Sequence, residues 1–395
     1  MIAIKTMDAM NFAVVGCGML ARSQHIPNLL ANPRAQLVLC CDAAEQALSI
    51  CREQFGVQRT SVDWRAAVAD PDVQVIVLAT TERLRLPVII TAAEAGKAVY
   101  VEKPLASSLT EMREIQEVVH RTGIPFCVGH NRRSSPAMLD AHRWFRSHMQ
   151  SPAPNPWRWD REGPENRPRQ PDDGVAAMSV RINDDWWSWK RWVFDKQHAP
   201  HGPMLFEMTH FTDLCNWFLA AEPEEVVAVE SGMLNHAVII RYRTGEIATI
   251  TMSANGTFGY PKELYEVMGN GGIVVIDHMV EVRTAGISGA PSRTSYSLVG
   301  APHRKLDAAG TTGWFAERER SCRQAVETND CSLSALCADA DKGHAAALTR
   351  FIDEIAGIGP PVCGVDDAVR ATRMAFAAVR SAREHRLVKM EEINA

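Results

Sequence analysis

Five predominantly apolar runs, NFAVVG, AQLVLCC, VQVIVLA, KAVYV and IPFCVG, recur between residues 10 and 131, separated by segments of helical periodicity. A strand that is apolar at every position has two faces to bury. A chain that alternates such strands with helices does this by laying helices on both sides of a parallel sheet. The first block is therefore expected to be an α/β, doubly wound parallel sheet. Cys40 and Cys41, adjacent in the second run, should point to opposite faces of it. ARSQHIPNLLANP reads as a helix that Pro27 breaks or bends, and TSVDWRAAVAD as a short helix entered from a turn.

A chain of 395 residues is too long for one ordinary core, and its character changes after residue 131. Ser151 to Gly174 is dense in Pro, Asn, Asp and Arg without a period, and reads as a long irregular loop. Beyond it EEVVAVESG, HAVIIRYRTG, EIATITMSANG, ELYEVMGNGG and GIVVIDHMVEVRT read as strands, with hairpin turns at RTGE and GNGG. Two helical segments follow, KGHAAALTRFIDEIAG and VDDAVRATRMAFAAVRSAREHR. The expected division is a domain over 10–131 and a second over 132–395. The second is α+β, with a large open, mainly antiparallel sheet and C-terminal helices packing back on the first domain. The open face of that sheet needs cover, which points to a homodimer or homotetramer.

Composition removes several function classes. An apolar fraction of 46% and a charged fraction of 23% describe a soluble globular chain. A net charge of −5 offers no electrostatic footprint for nucleic acid, and no apolar run reaches a membrane span. Asp8 and Asn11 interrupt the N-terminal apolar stretch, and no basic segment precedes it, so a signal-peptide layout is not expected. The ten cysteines form no CxxC pair and read as reduced, mostly buried thiols of a cytoplasmic protein.

Chemistry enters at GCGMLA, a GxGxxA turn between the first strand and the first helix. Glycines there permit a tight turn and let a pyrophosphate approach the helix N-terminus, where N–H groups and the dipole favour anions. Asp42 ends the second strand 26 residues after Gly16, placed to accept from a ribose 2′-hydroxyl. No arginine follows it within CDAAEQ, so NAD is expected rather than NADP. Gly16, Cys17, Gly18, Met19, Leu20 and Asp42 form the core of the expected Rossmann cofactor site.

At VYVEKPLA the order of elements becomes recognisable. GCGMLA, Asp42, AGKAVYVEKPLA, IPFCVGHNRRSSP and HGPMLFEMTHFTDLCNWFLA, with the C-terminal VDDAVRATRMAFAAVRSA, resemble the Gfo/Idh/MocA family of glucose–fructose oxidoreductase and inositol dehydrogenase. The resemblance implies that Lys103 reaches the junction of nicotinamide and substrate, and that its bond to Pro104 can be cis. Physically, a lysine at the C-terminal end of a parallel strand stands in the crevice where such sheets bind ligands. There its ammonium can hold an alkoxide-like charge. Glu102 would point the opposite way by strand alternation. Thr80, Glu102, Lys103 and Pro104 complete the expected cofactor-binding set. Where the family has a TPNxxH-like segment, this chain reads ATTERLR, with Thr81, Glu82 and Arg85 at those positions.

A second constellation is Glu207, His210 and Asp213, whose spacings of three share one face of a helix. A histidine near its working pH can take a proton from a substrate hydroxyl. His210 also matches the family's general acid–base histidine. Glu207 stands three residues before it, where many members have an aspartate four before, a position held here by Phe206. Lys103, His210 and Glu207 are the expected catalytic residues. His198, His201, Glu207 and His210 match no tight ligand spacing, so no metal is expected. Trp186, Trp187, Trp189 and Trp192 could stack on sugar rings or pack an interface. Asn131, Arg132 and Arg133 follow the last strand of the first block, where the crevice should open. An arginine there could clamp a substrate carboxylate or form a surface ion pair. The substrate-binding expectation is Lys103, Asn131, Arg132, Trp186, Trp192 and His210.

These readings converge on NAD-dependent hydride transfer to or from a secondary hydroxyl of a sugar, cyclitol or related polyol. A redox-neutral NAD-dependent glycosidase would use the same residues. A non-catalytic nucleotide sensor would have no need of Lys103 and His210.

Overall fold

The computed structural model describes residues 9–151, 175–185, 201–232, 234–287, 289–300, 306, 308–328 and 339–393. They divide into two compact units. One comprises the described residues up to Ser134 with Gly343–Thr372, and the other those of Ser135–Lys342 with the residues from Arg373 on.

The first unit is built on β1 (Met10–Val15), β2 (Ala35–Cys41), β3 (Thr60–Ser61), β4 (Val75–Leu78), β5 (Ala98–Val101) and β6 (Phe126–Val128). They form one parallel sheet in the order β3-β2-β1-β4-β5-β6. Strand alternation sorts its side chains into two cores. Ala13, Val15, Cys41, Ile76, Leu78 and Val101 belong to one, and Phe12, Val14, Cys40, Val77 and Tyr100 to the other. The adjacent Cys40 and Cys41 thus lie on opposite faces, as a both-sides-buried strand requires. Each such buried Val, Leu or Ile contributes roughly 1.5–3 kcal/mol relative to exposure.

Connecting helices are α1 (Ile26–Ala31), α2 (Glu45–Phe55), α3 (Trp64–Ala69), α4 (Glu82–Glu94) and α5 (Leu109–Thr122). The Cys40 face is closed by Leu29, Leu48 and, from α10 (His344–Ile355), by Leu348, Phe351 and Ile352. The stretch before α1, Ala21–His25, is a π-turn in which the Ile26 N–H donates to Ala21 O. Pro27 has no N–H to offer, so the helix opens by one residue instead of breaking. TSVDWRAAVAD divides into the two-residue β3 and α3, whose N-cap Asp63 accepts from Arg65 N at 3.0 Å.

The second unit carries α6 (Pro136–Gln150), β7 (Ala177–Asn183), α7 (Gly202–Phe206) and α8 (Met208–Leu219). Then come β8 (Pro223–Ser231), β9 (Asn235–Tyr242), β10 (Ile247–Ser253), β11 (Glu263–Gly269), β12 (Gly272–Asp277), β13 (Glu281–Ala285) and β14 (Arg293–Ser295). The short β15 (Leu298–Val299) pairs with β16 (Asp339–Ala340), and α9 (Gly310–Thr328), α11 (Val365–Glu384, which spans the division) and β17 (Val388–Lys389) complete the elements. Nine strands form one sheet in the order β14-β13-β12-β11-β7-β10-β9-β8-β17. Every pairing is antiparallel except β7 with β10. β7 is an addition to the sequence reading, and GIVVIDHMVEVRT is two strands, turned at His278 and Met279 with φ of 52° and 58°. The GNGG hairpin is as expected: Asn270 and Gly271, both at positive φ, make a two-residue loop between β11 and β12. One face of this sheet is buried, against α6 and α8 among others.

Candidate dinucleotide and catalytic site

Parallel strands end together, so β1, β2, β4, β5 and β6 deliver Gly16, Asp42, Thr80, Lys103 and Asn131 to one edge of the first sheet. At the glycine turn Gly16 has φ +93°, and a Cβ there would stand 2.6 Å from Ala79 O. Only glycine lets the turn lie against the end of β4. Gly18 differs: a Cβ added there would meet nothing within 4 Å. The backbone of Gly18 therefore faces open space beside the helix start, which fits a pyrophosphate. Cys17 is buried while Met19 is exposed.

Asp42 closes the turn from the other side. Its Oδ2 accepts from Cys17 N at 2.7 Å and its Oδ1 from Ala44 N at 2.8 Å. The carboxylate is thereby fixed, and its remaining lone pairs can accept ribose hydroxyls. Behind the turn the sulfurs of Cys17, Cys40 and Cys51 lie within 4.8 Å of one another. The hydrogen bond with Cys40, then burial, pushes the Cys17 thiol far up, and burial pushes Cys51 up to about 12. These two are protonated at neutral pH and pack as small apolar groups.

Lys103 follows the end of β5, half-buried, and its bond to Pro104 is cis. Glu102 turns into the domain, where its Oε1 lies 2.9 Å from Nε2 of the buried His25. Burial by itself would raise the Glu102 carboxyl. The His25 hydrogen bond and charge, with the His344 and Lys103 charges, outweigh burial and hold it at about 2. Gly129 makes room for it, since a Cβ there would meet Glu102 Oε1 at 2.9 Å. His25 also sets its ring edge-on to Tyr100, centroids 5.6 Å apart. Sequence reasoning did not pair His25 with Glu102. The signal was a carboxylate inside an otherwise apolar strand end, which needs a partner when buried.

Asn131 and Arg132 are buried, as is Arg133. Arg133 donates to Asp367 Oδ2 at 3.0 Å and to Val362 O at 3.3 Å, so a buried arginine pairs with a carboxylate that is partly open to solvent. Arg85, from α4, is also buried; it donates to the carbonyls of Thr80, Lys103 and Pro104.

In the second unit, His210 and Asp213 lie on α8, which is buried along nearly its whole length, with Asp213 fully enclosed. Glu207 is the N-cap between α7 and α8, and His210 N donates to its carbonyl at 3.1 Å. Trp186, Trp187, Trp189, Trp192 and His198, and the stretch 152–174, lie outside the described residues.

A parallel sheet in this strand order, with a glycine turn after β1 and an anchored acid after β2, defines a dinucleotide-binding oxidoreductase domain. Comparison with known proteins agrees. Residues 10–130 match the family model described as "Oxidoreductase family, NAD-binding Rossmann fold", and 175–275 match the "GFO/IDH/MocA C-terminal domain". The chain belongs to the GFO/IDH/MocA oxidoreductase family, and its first unit carries that family's NAD-binding domain. It is 21% identical to myo-inositol 2-dehydrogenase of Thermotoga maritima over 407 aligned residues, covering 97% of this chain and 99% of that enzyme. Over 132 residues it is 36% identical to the scyllo-inositol 2-dehydrogenase (NAD(+)) of Bacillus subtilis, 33% of this chain and 38% of that one. Its fold matches levoglucosan dehydrogenase in complex with NADH, with TM-score 0.72, 20% identity and coverage of 97% and 99%.

Proposed function

We propose that this chain is an NAD-dependent dehydrogenase of a sugar or cyclitol, oxidising a secondary hydroxyl. The observation that carries the reading is the strand end at Lys103. A half-buried lysine follows β5 on the edge that also holds the glycine turn and the anchored Asp42. Relatives named as inositol and levoglucosan dehydrogenases support the substrate class and favour net dehydrogenation over the glycosidase chemistry.

Gly16 to Leu20 would cradle the pyrophosphate, Asp42 the adenosine ribose, and Thr80 and Pro104 the nicotinamide half. When bound, NAD supplies the hydride acceptor. Lys103 donates a hydrogen bond from Nζ to the reacting oxygen and favours its alkoxide-like charge. His210 takes the hydroxyl proton, with Glu207 assisting. Asn131 and Arg132 bind substrate hydroxyls. Glu102, tied to His25, supports the backbone from which Lys103 projects. Thiols without a disulfide among the described cysteines support a reducing, cytoplasmic setting.

The test follows NADH absorbance and product mass together over a panel of cyclitols, sugars and glycosides. Net NADH with a product two mass units lighter is expected. Lys103→Ala and His210→Ala should each lower kcat by about 100- to 1000-fold, with NAD affinity changed less than about threefold. Full turnover by Lys103→Ala, or aglycone release without net NADH, would overturn the reading.

A further inference from the structure

Arg85 occupies the position where the family resemblance leads one to expect histidine, and its side chain is buried. Its Nη1 donates to Pro104 O, and its Nη2 donates to Thr80 O at 3.1 Å and Lys103 O at 3.2 Å. Glu82 Oε1 stands 3.7 Å away, one helical turn back on α4. The fork thus ties the loop leaving β4 to the loop leaving β5. Those carbonyls follow the last paired positions of their strands, Leu78 and Val101, so the sheet ladder does not hold them.

We propose that Arg85 is a positioning residue: its guanidinium grips the backbone on both sides of the Lys103–Pro104 bond and thereby fixes where the Lys103 ammonium stands. This rests on the reading above, in which Lys103 acts at the substrate oxygen.

Three features favour positioning over general stabilisation. A buried guanidinium is expensive to desolvate, and burial does pull the Arg85 pKa down, against the Glu82, Glu102 and Glu111 charges. A core position with no other demand would be filled more cheaply by an apolar side chain. Next, the donors are aimed at the two loops. Nε, equally buried, has no hydrogen-bond partner among the described residues, while both terminal nitrogens are spent on carbonyls beside the site. Finally, the geometry needs this residue type. A neutral imidazole has one N–H and a lysine ammonium is a single point, whereas the planar fork spans three acceptors at fixed separations.

The test uses the full-length protein with R85A and R85K. Hydrogen–deuterium exchange without NAD is read on peptides covering 102–107, with 10–15 in β1 as control. In parallel, kcat and KM for the polyol are measured, and the Kd for NAD by fluorescence titration. R85A should speed exchange in 102–107 by about tenfold or more and leave 10–15 unchanged. It should lower kcat about 30- to 100-fold, the cost of a reacting group misplaced by about 1 Å, with KM and Kd moving less than about threefold. R85K should recover part of kcat, and carries the comparison if R85A does not fold. A uniform rise in exchange in both peptides, or unchanged kcat in R85A, overturns the positioning role. If the wild-type chain oxidises no polyol while 102–107 alone loosens in R85A, the proposed activity has failed and the tie has not.

Discussion

Glu102 and His25 show how one buried pair couples the proposed site to pH. The folded Glu102 carboxyl titrates near 2, against an ordinary value near 4.5, so folding favours its charged form. That stabilisation is complete above a pH of about 4.5 and drains away as pH falls towards 2. Glu102→Gln removes the charge and leaves His25, 1% exposed, facing a neutral amide. Replacing the charged partner of a buried hydrogen bond costs about 1–3 kcal/mol, so the variant should be less stable at pH 7. Its urea midpoint should fall less than that of the wild type between pH 5 and pH 3, since the titrating group is gone. Parallel midpoint-against-pH curves for the two proteins would refute the pairing as a source of stability. The measurement needs no substrate, and so tests the local electrostatics apart from any activity.

At the scale of the element, the β1 turn separates two uses of glycine. Gly16→Ala forces a left-handed φ of +93° on alanine and drives its Cβ into Ala79 O, a backbone atom that cannot rotate away. It should lower the thermal midpoint and weaken NAD binding by more than about tenfold, roughly 1.4 kcal/mol. Gly18→Ala meets nothing within 4 Å in the protein, so the thermal midpoint should stay put while NAD affinity falls, because the methyl enters the space proposed for the pyrophosphate. Equal affinity for NAD in wild type and Gly18→Ala would remove the pyrophosphate from that position. Much of this element was legible in the sequence, because its constraints are local: a tight turn demands glycine, and a doubly buried strand demands apolar residues throughout. Two-residue β3 carries too short a pattern to read. β7 alternates correctly through Met178, Val180 and Ile182, yet its parallel partner β10 begins 70 residues further along, and nothing local announces such a pairing. The ties of Arg85 to residues 18 and 19 positions ahead, and of His25 to one 77 ahead, are likewise products of the fold. Arg85 was visible in the sequence only as a departure from the family pattern.

Considered as a whole molecule, the chain leaves one sheet face to account for. Along β8, β9 and β10 every second side chain points away from the buried side. Register sets Val227 beside Ile239 and Thr249 in one row, and Val229 beside Ala237 and Thr251 in the next. Within β8, β9 and β10 these rows carry no charge, the second meeting Arg181 where it continues onto β7, and Val229 and Ile239 are 61% and 52% exposed in the single chain. Small and β-branched side chains on a sheet make a flat, neutral surface. The surface that best matches such a face is another like it, and a two-fold axis supplies one from a second copy of the chain. Charged pairs lie towards the margin, where Arg241 meets Glu224 at 3.2 Å and Glu225 at 2.9 Å. That layout, apolar centre and polar edge, is the anatomy of a stable interface. We therefore expect light scattering after size exclusion to give a mass two or four times that of the chain at micromolar concentration. Replacing both Val229 and Ile239 by glutamate places like charges on the apposed faces and should return the protein to monomer, with its far-ultraviolet circular dichroism unchanged. A wild-type chain that elutes as a monomer, or a double variant that still assembles, would rule out this face as the contact between copies.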